Sequence, residues 1–157
     1  MTPFAINLVL AFVWAVLNGG IGLTSLIVGF IIGYGVIFIL QPLFVTNRYC
    51  TMVIDGLLLV VFFFYELIVS SFKVAWDVVT PVQRSKPALV AVPLEARTDA
   101  EITVLANLVS LTPGSLSLDI SEDRKHLLVH AMFVDDPEAF KAEVKNGMEK
   151  RVLEAMR

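Results

Sequence analysis

The chain has 157 residues, 57% of them hydrophobic, and a net charge of −3 at pH 7; its mean hydropathy of +0.77 is too high for an ordinary water-soluble domain. Up to Thr80 the charges are Arg48, Asp55, Glu66, Lys73 and Asp77, and all the others follow in an evenly mixed tail. That mixture excludes a nucleic-acid-binding or polybasic lipid-binding face. Cys50, the single cysteine, excludes an internal disulfide and a cysteine-based metal cluster.

The front of the chain is apolar almost throughout, and as one helix residues 3–44 would be about 60 Å long. The turn-forming cluster Asn18-Gly19-Gly20 breaks it. A first helix is expected over residues 4–17 and a second over 21–40, ended by Gln41-Pro42. The first is short for a full crossing. It does not read as a cleaved signal peptide, because no basic residue precedes it and no small-x-small cleavage site follows. Gly29 and Gly33 form a GxxxG pair that lets another helix approach closely in lipid. Two readings stand: a docking face for another membrane protein, or packing within this chain. Residues 46–50 read as a short loop, with Tyr49 placed like an interfacial aromatic.

Residues 51–79 form the third apolar stretch. Between Gly56 and Phe72 it holds one charged residue, Glu66, and about 20 mostly apolar residues suffice to cross the hydrocarbon core. Arg84, Lys86 and Arg97 follow this helix while the loop before it holds only Arg48, so the back half is expected on the cytoplasmic side. Residues 1–80 are thus read as a transmembrane helical region of about three spans, and residues 81–157 as a cytoplasmic α+β domain.

In that domain the alternating run 89–94 predicts a strand. Thr98 or Asp99 caps a helix with Ile102, Leu105, Ala106, Leu108 and Val109 on one side. Thr112-Pro113-Gly114 stops it. Residues 115–120 and 126–134 alternate on either side of a turn and read as a hairpin. Asp135-Asp136-Pro137-Glu138 opens a last helix, with Phe140, Val144, Met148 and Val152 on one face. The order β-α-β-β-α predicts helices packed on one face of a sheet.

Glu66 and Asp55, acids of the front half, each have two readings. Glu66, which would cost about 2.5 to 3.5 kcal/mol uncompensated at a helix centre, is either a proton- or cation-linked carboxylate facing a partner or a polar contact that docks helices. Lys73 and Asp77, four apart, can pair at the cytoplasmic boundary. Asp55 is either a cation attractor at the outer mouth or an acid stabilised by the helix dipole. His126 and His130 share a strand face but lie about 13 Å apart, too far for one metal, and no catalytic set of side chains stands out.

The run from Glu101 to Ser115 (EITVLANLVSLTPGS), then Leu118-Asp119-Ile120-Ser121 and Leu128-Val129-His130-Ala131, resembles the MrpE family, also called MnhE or PhaE, of the Mrp-type multisubunit cation/proton antiporters. The resemblance extends to Trp14, Asn18 and Glu66-Leu67-Ile68. It implies an accessory, noncatalytic subunit in the bacterial plasma membrane, and the residues themselves point to no cofactor and no metal. Its implied partners are other Mrp subunits, in a complex that exchanges cytoplasmic Na+ or K+ for external H+. Residue patterns alone leave two other classes open: a membrane-tethered regulatory or scaffold module, and a self-sufficient small transporter or channel.

Overall fold

The computed structural model describes residues 3–40, 49–81 and 84–157. The chain divides into two compact units, residues 1–53 and 54–157. In the first, α1 (Pro3–Leu17) and α2 (Leu23–Leu40) form a helical hairpin, and α3 (Tyr49–Val79) begins. The turn after α1 is closed by Gly20 N–H on Ala15 O at 3.3 Å and Gly19 N–H on Val16 O at 3.1 Å. Gly19, at φ +81°, supplies the left-handed residue that this helix-ending pattern requires. The loop ahead of the third helix falls mostly outside the described residues, as do Gln41-Pro42 and Arg48. Tyr49 and Cys50, expected in that loop, form the first turn of α3.

Among the described residues α2 and α3 are long and apolar enough to cross a membrane, and the 15-residue α1 is shorter. At 1.5 Å per residue α1 reaches about 22 Å, α2 about 27 Å and α3 about 46 Å, against a hydrocarbon core of about 30 Å. The hairpin is held by a seam of small residues. Asn7, Ala11 and Ala15 are buried on α1 and Gly29, Gly33 and Ile37 on α2.

The second unit contains the rest of α3 and an α+β fold. β1 (Ala88–Pro93), β3 (His126–Ala131) and β2 (Ser115–Ile120) form an antiparallel sheet in the order β1-β3-β2. Ala88 and Ser115 both pair with Ala131. Val90, Val92, Leu127 and Val129 point to one face and are buried with Leu105 and Val109 of α4 (Asp99–Leu111). Val144 and Met148 complete the core. β3 stops at Ala131, three residues short of the predicted end, because the Met132 N–H turns to Gly114 O at 2.8 Å and Val134 N–H to Lys86 O at 3.1 Å.

Thr98 is the cap of α4: its Oγ1 accepts the Glu101 N–H at 3.2 Å while Glu101 Oε2 accepts the Thr98 N–H at 3.1 Å. The last helix is interrupted. α5 (Pro137–Val144) runs into a π turn over Lys145–Glu149 before α6 (Lys150–Met156) resumes. The wider turn lets consecutive residues, Met148 and Glu149, both face inward. Glu149 Oε1 accepts the N–H groups of Glu95 at 2.5 Å and Ala96 at 2.9 Å. Thus the π turn ties the C-terminal helix to the loop between β1 and α4.

That loop is also held by Glu101, whose side chain is 5% exposed and meets the 45% exposed Arg157 guanidinium at 2.9 Å. The guanidinium first, then the Arg97 and Thr98 N–H groups, hold the Glu101 carboxyl down from 4.5 to about 2. A lowered carboxyl stabilises the fold above its ordinary value and loses that contribution as pH falls through the folded one. The unfolding midpoint of the detergent-solubilised chain should therefore decline between about pH 4.5 and pH 2. Circular dichroism should show this step flattened in Glu101→Gln. The same variant should lose about 1 to 2 kcal/mol at neutral pH, a figure discounted for the solvent around Arg157.

Candidate functional site

The polar residues of the helical region fall into two groups. In the first unit, Asn7 lies fully buried, and its Nδ2 donates to Tyr49 Oη at 3.1 Å. Tyr34 Oη donates to Cys50 O at 3.1 Å. The Tyr49 ring meets Tyr34 and Phe4, with centroids 6.1 and 6.4 Å away. Tyr49 therefore serves as a joint between α1, α2 and the start of α3, where the sequence suggested an interfacial aromatic.

The GxxxG pair faces α1. A Cβ at Gly29 would stand 2.8 Å from Ala11 O and 2.9 Å from Trp14 Cβ, and one at Gly33 would fall on Asn7 Oδ1. That oxygen is buried without an N–H or O–H partner. An α-hydrogen of Gly33 faces it instead, a weak Cα–H···O contact of the kind that recurs between closely packed helices. Of the two readings of Gly29 and Gly33, the geometry is that of packing within this chain. Sequence reasoning missed Asn7, although it is the only amide or ionisable side chain in α1.

In the second unit Glu66 and Lys73 line one cavity of about 230 Å³ together with Thr112, Pro113, Gly114 and Glu143. The turn at Thr112-Pro113-Gly114 is built as a helix stop. Thr112 Oγ1 donates to Leu108 O at 2.9 Å, Ser115 Oγ donates to Val109 O at 2.7 Å, and Gly114 sits at φ +89°. Asp77 lines a wider cleft with Lys73, Arg84 and Asp135. Its Oδ1 accepts the Arg84 N–H at 2.6 Å, so the backbone returning from α3 is its partner, in place of the Lys73 pair that the spacing suggested. Asp135 is held below the usual carboxylate range by Lys86, whose ammonium lies 2.6 Å away. Asp55 stands apart, beside Lys150, Arg151 and Glu154.

The α+β fold and α3 meet where the Arg151 guanidinium stacks 3.8 Å over the Phe62 ring. Charged groups such as Arg151 and Glu143 cost at least about 2.5 kcal/mol each in hydrocarbon. Bilayer and α+β domain therefore exclude one another along residues 56–72. Among the described residues no three His, Cys, Asp or Glu side chains are arranged to hold a metal ion.

Long, lipid-compatible helices joined to a small one-sided α+β domain define a membrane-located protein with a polar appendage. A family described as Na+/H+ ion antiporter subunit (MNHE) matches residues 7–155. The E-type subunit of the Na+/H+ antiporter of Alkalihalophilus pseudofirmus is 32% identical over 149 residues, 95% of this chain and 94% of that protein. Its counterpart in Bacillus subtilis is 33% identical over 152 residues, 97% and 96% of the two chains. Among solved structures, a chain of the Mrp complex from Dietzia sp. is similar at a TM-score of 0.52 and 30% identity, covering 62% of this chain and 92% of that one. The chain belongs to the MnhE family of Na+/H+ antiporter subunits.

Proposed function

We propose that this protein is an accessory, noncatalytic subunit of a multisubunit cation/proton antiporter that exchanges cytoplasmic Na+ or K+ for external H+, and that it supports assembly and activity of that complex. The observation that carries this reading is the near full-length match to MnhE-type proteins over both the helical and the α+β parts. A short α1 and a carboxylate in an apolar run also make sense beside neighbouring helices. A transport path of its own would need a chain of polar groups through the span, and Glu66 is the only charged residue between Gly56 and Phe72.

The helical region, residues 1–80, crosses the membrane about three times, with the α+β domain, residues 81–157, on the cytoplasmic side. Along α3 the bilayer prevails over the α+β domain on magnitude. Leu57, Val61, Phe64, Ile68 and Phe72 are all more than half exposed to water. Moving them into hydrocarbon gains on the order of 1 kcal/mol or more apiece, whereas the domain offers α3 one cation–π stack of about 0.5 to 2 kcal/mol and the packing of Phe62 on its core, about 1.5 to 3 kcal/mol. The domain then keeps the contacts beyond Lys73, among them Arg84 with Asp77, and Glu66 meets a neighbouring subunit as a polar contact.

Purification in mild detergent tests the subunit reading: the chain should elute with other antiporter subunits, and a lone chain holding only a soluble protein would overturn it. For Glu66, antiport in everted vesicles should survive Glu66→Gln and fall with complex recovery in Glu66→Ala. Loss of antiport in Glu66→Gln at matched complex levels would instead assign the carboxylate an ionic role.

A further inference from the structure

Among the described residues of the second unit, the core packs against one face of the sheet. Direct pairing places Leu89, His130 and Leu116 in one row across the other face, and Ala91, Leu128 and Asp119 in the next. A register shift between Ser117 and Asp119 adds Leu118 at the edge. Leu89, Leu116 and Leu118 are 58%, 48% and 51% exposed. Of the 22 Asp, Glu, Lys and Arg side chains after residue 80, the paired positions of this face carry one, Asp119.

Area and charge narrow the occupant. Three strands of six residues span roughly 20 by 14 Å, a face of about 300 Å², whereas a stable association of free proteins buries about 800 Å² on each partner. The face is too small to hold a second copy or a freely diffusing protein. It is large enough for a partner already held beside it, because a shared anchor raises the effective concentration. The domain has such an anchor, since eight residues separate the end of α3 at Val79 from β1 at Ala88. A lipid surface fits poorly, because anionic headgroups favour Lys and Arg and the face offers Asp119 instead.

We propose that this sheet face docks an apolar, uncharged segment of a neighbouring membrane-anchored subunit, a proposal that rests on the subunit reading above. Leu89 and Leu116 flank His130 as its apolar contacts, and the imidazole supplies a central hydrogen-bonding group. The test uses the full chain with Cys50→Ala plus Leu116→Cys, or plus Leu89→Cys. A membrane-impermeant maleimide is applied to everted vesicles holding either the complex or the chain expressed alone. Labelling at both positions should be at least tenfold slower in the complex, while Glu122→Cys in the β2–β3 turn labels at the same rate in both. Equal rates at 89 and 116, with the chain still co-purifying, overturn the docking proposal and leave the subunit reading standing. Protection in the chain expressed alone assigns the face to lipid or a second copy and overturns it too. Failure to co-purify overturns the subunit reading itself.

Discussion

Gly33→Ala is expected to pry α1 from α2, and Asn7→Ala is expected to relieve it. The added Cβ falls on Asn7 Oδ1 and stands 3.2 Å from Leu10 Cβ. Overpacking of this kind costs about 1 to 3 kcal/mol. Removing the Asn7 amide empties the space that the methyl needs, so the double variant should be less destabilised than the sum of the two by roughly 1 kcal/mol. Gly29→Ala supplies the control. Its Cβ would meet backbone, Ala11 O at 2.8 Å and Ala11 Cα at 3.0 Å, and no truncation of Asn7 can clear that. Thermal or SDS-driven unfolding of the detergent-solubilised chain gives the four values of each cycle. Additive losses at positions 7 and 33 would mean that the Asn7 carbonyl does not fill the space beside Gly33.

Much of the α+β domain was legible because its burial follows simple periods. Leu105 and Val109 are buried at the helical spacing of α4, and Leu127, Val129 and Ala131 at the alternation of β3. Thr98 was recognisable because a capping box is a local device whose two partners lie three residues apart. Asn18-Gly19-Gly20 was visible for the same reason.

What escaped were contacts between residues distant in the chain. The i,i+4 spacing of Lys73 and Asp77 permits a pair, but a returning backbone N–H from Arg84 is the nearer partner. Nothing local distinguishes Tyr49 in a loop from Tyr49 in a first helical turn, since its ring contacts come from Phe4 and Tyr34. The GxxxG pair announced close packing without naming the partner. Asn7 carried the missing information, as a lone amide in an apolar helix needs a buried companion. The π turn left no trace, because a helical stripe of Phe140, Val144, Met148 and Val152 is the same with or without it.

Glu149 is where that hidden turn has its largest consequence. Its Oε1 accepts two backbone N–H groups, of Glu95 and of the buried Ala96, while the residue is 1% exposed and Oε2 is buried without a partner. Charge-assisted bonds to backbone N–H groups are about twice as strong as neutral ones. A buried donor left bare costs about 1 to 3 kcal/mol, and truncation leaves a cavity as well. Glu149→Ala should thus lose about 3 to 5 kcal/mol, a large part of the 5 to 15 kcal/mol typical of a domain. Glu149→Gln keeps an acceptor for the two N–H groups and should lose about 1 to 2 kcal/mol. Amide exchange at Glu95 and Ala96 should quicken in Glu149→Ala well before the sheet amides of Leu127 and Val129 do. The exposed Glu154→Ala serves as reference, and a Glu149→Ala midpoint no lower than its own would show that the loop between β1 and α4 is held by its other contacts, among them the Lys145–Glu95 and Arg157–Glu101 pairs and the Leu94 N–H on Lys125 O.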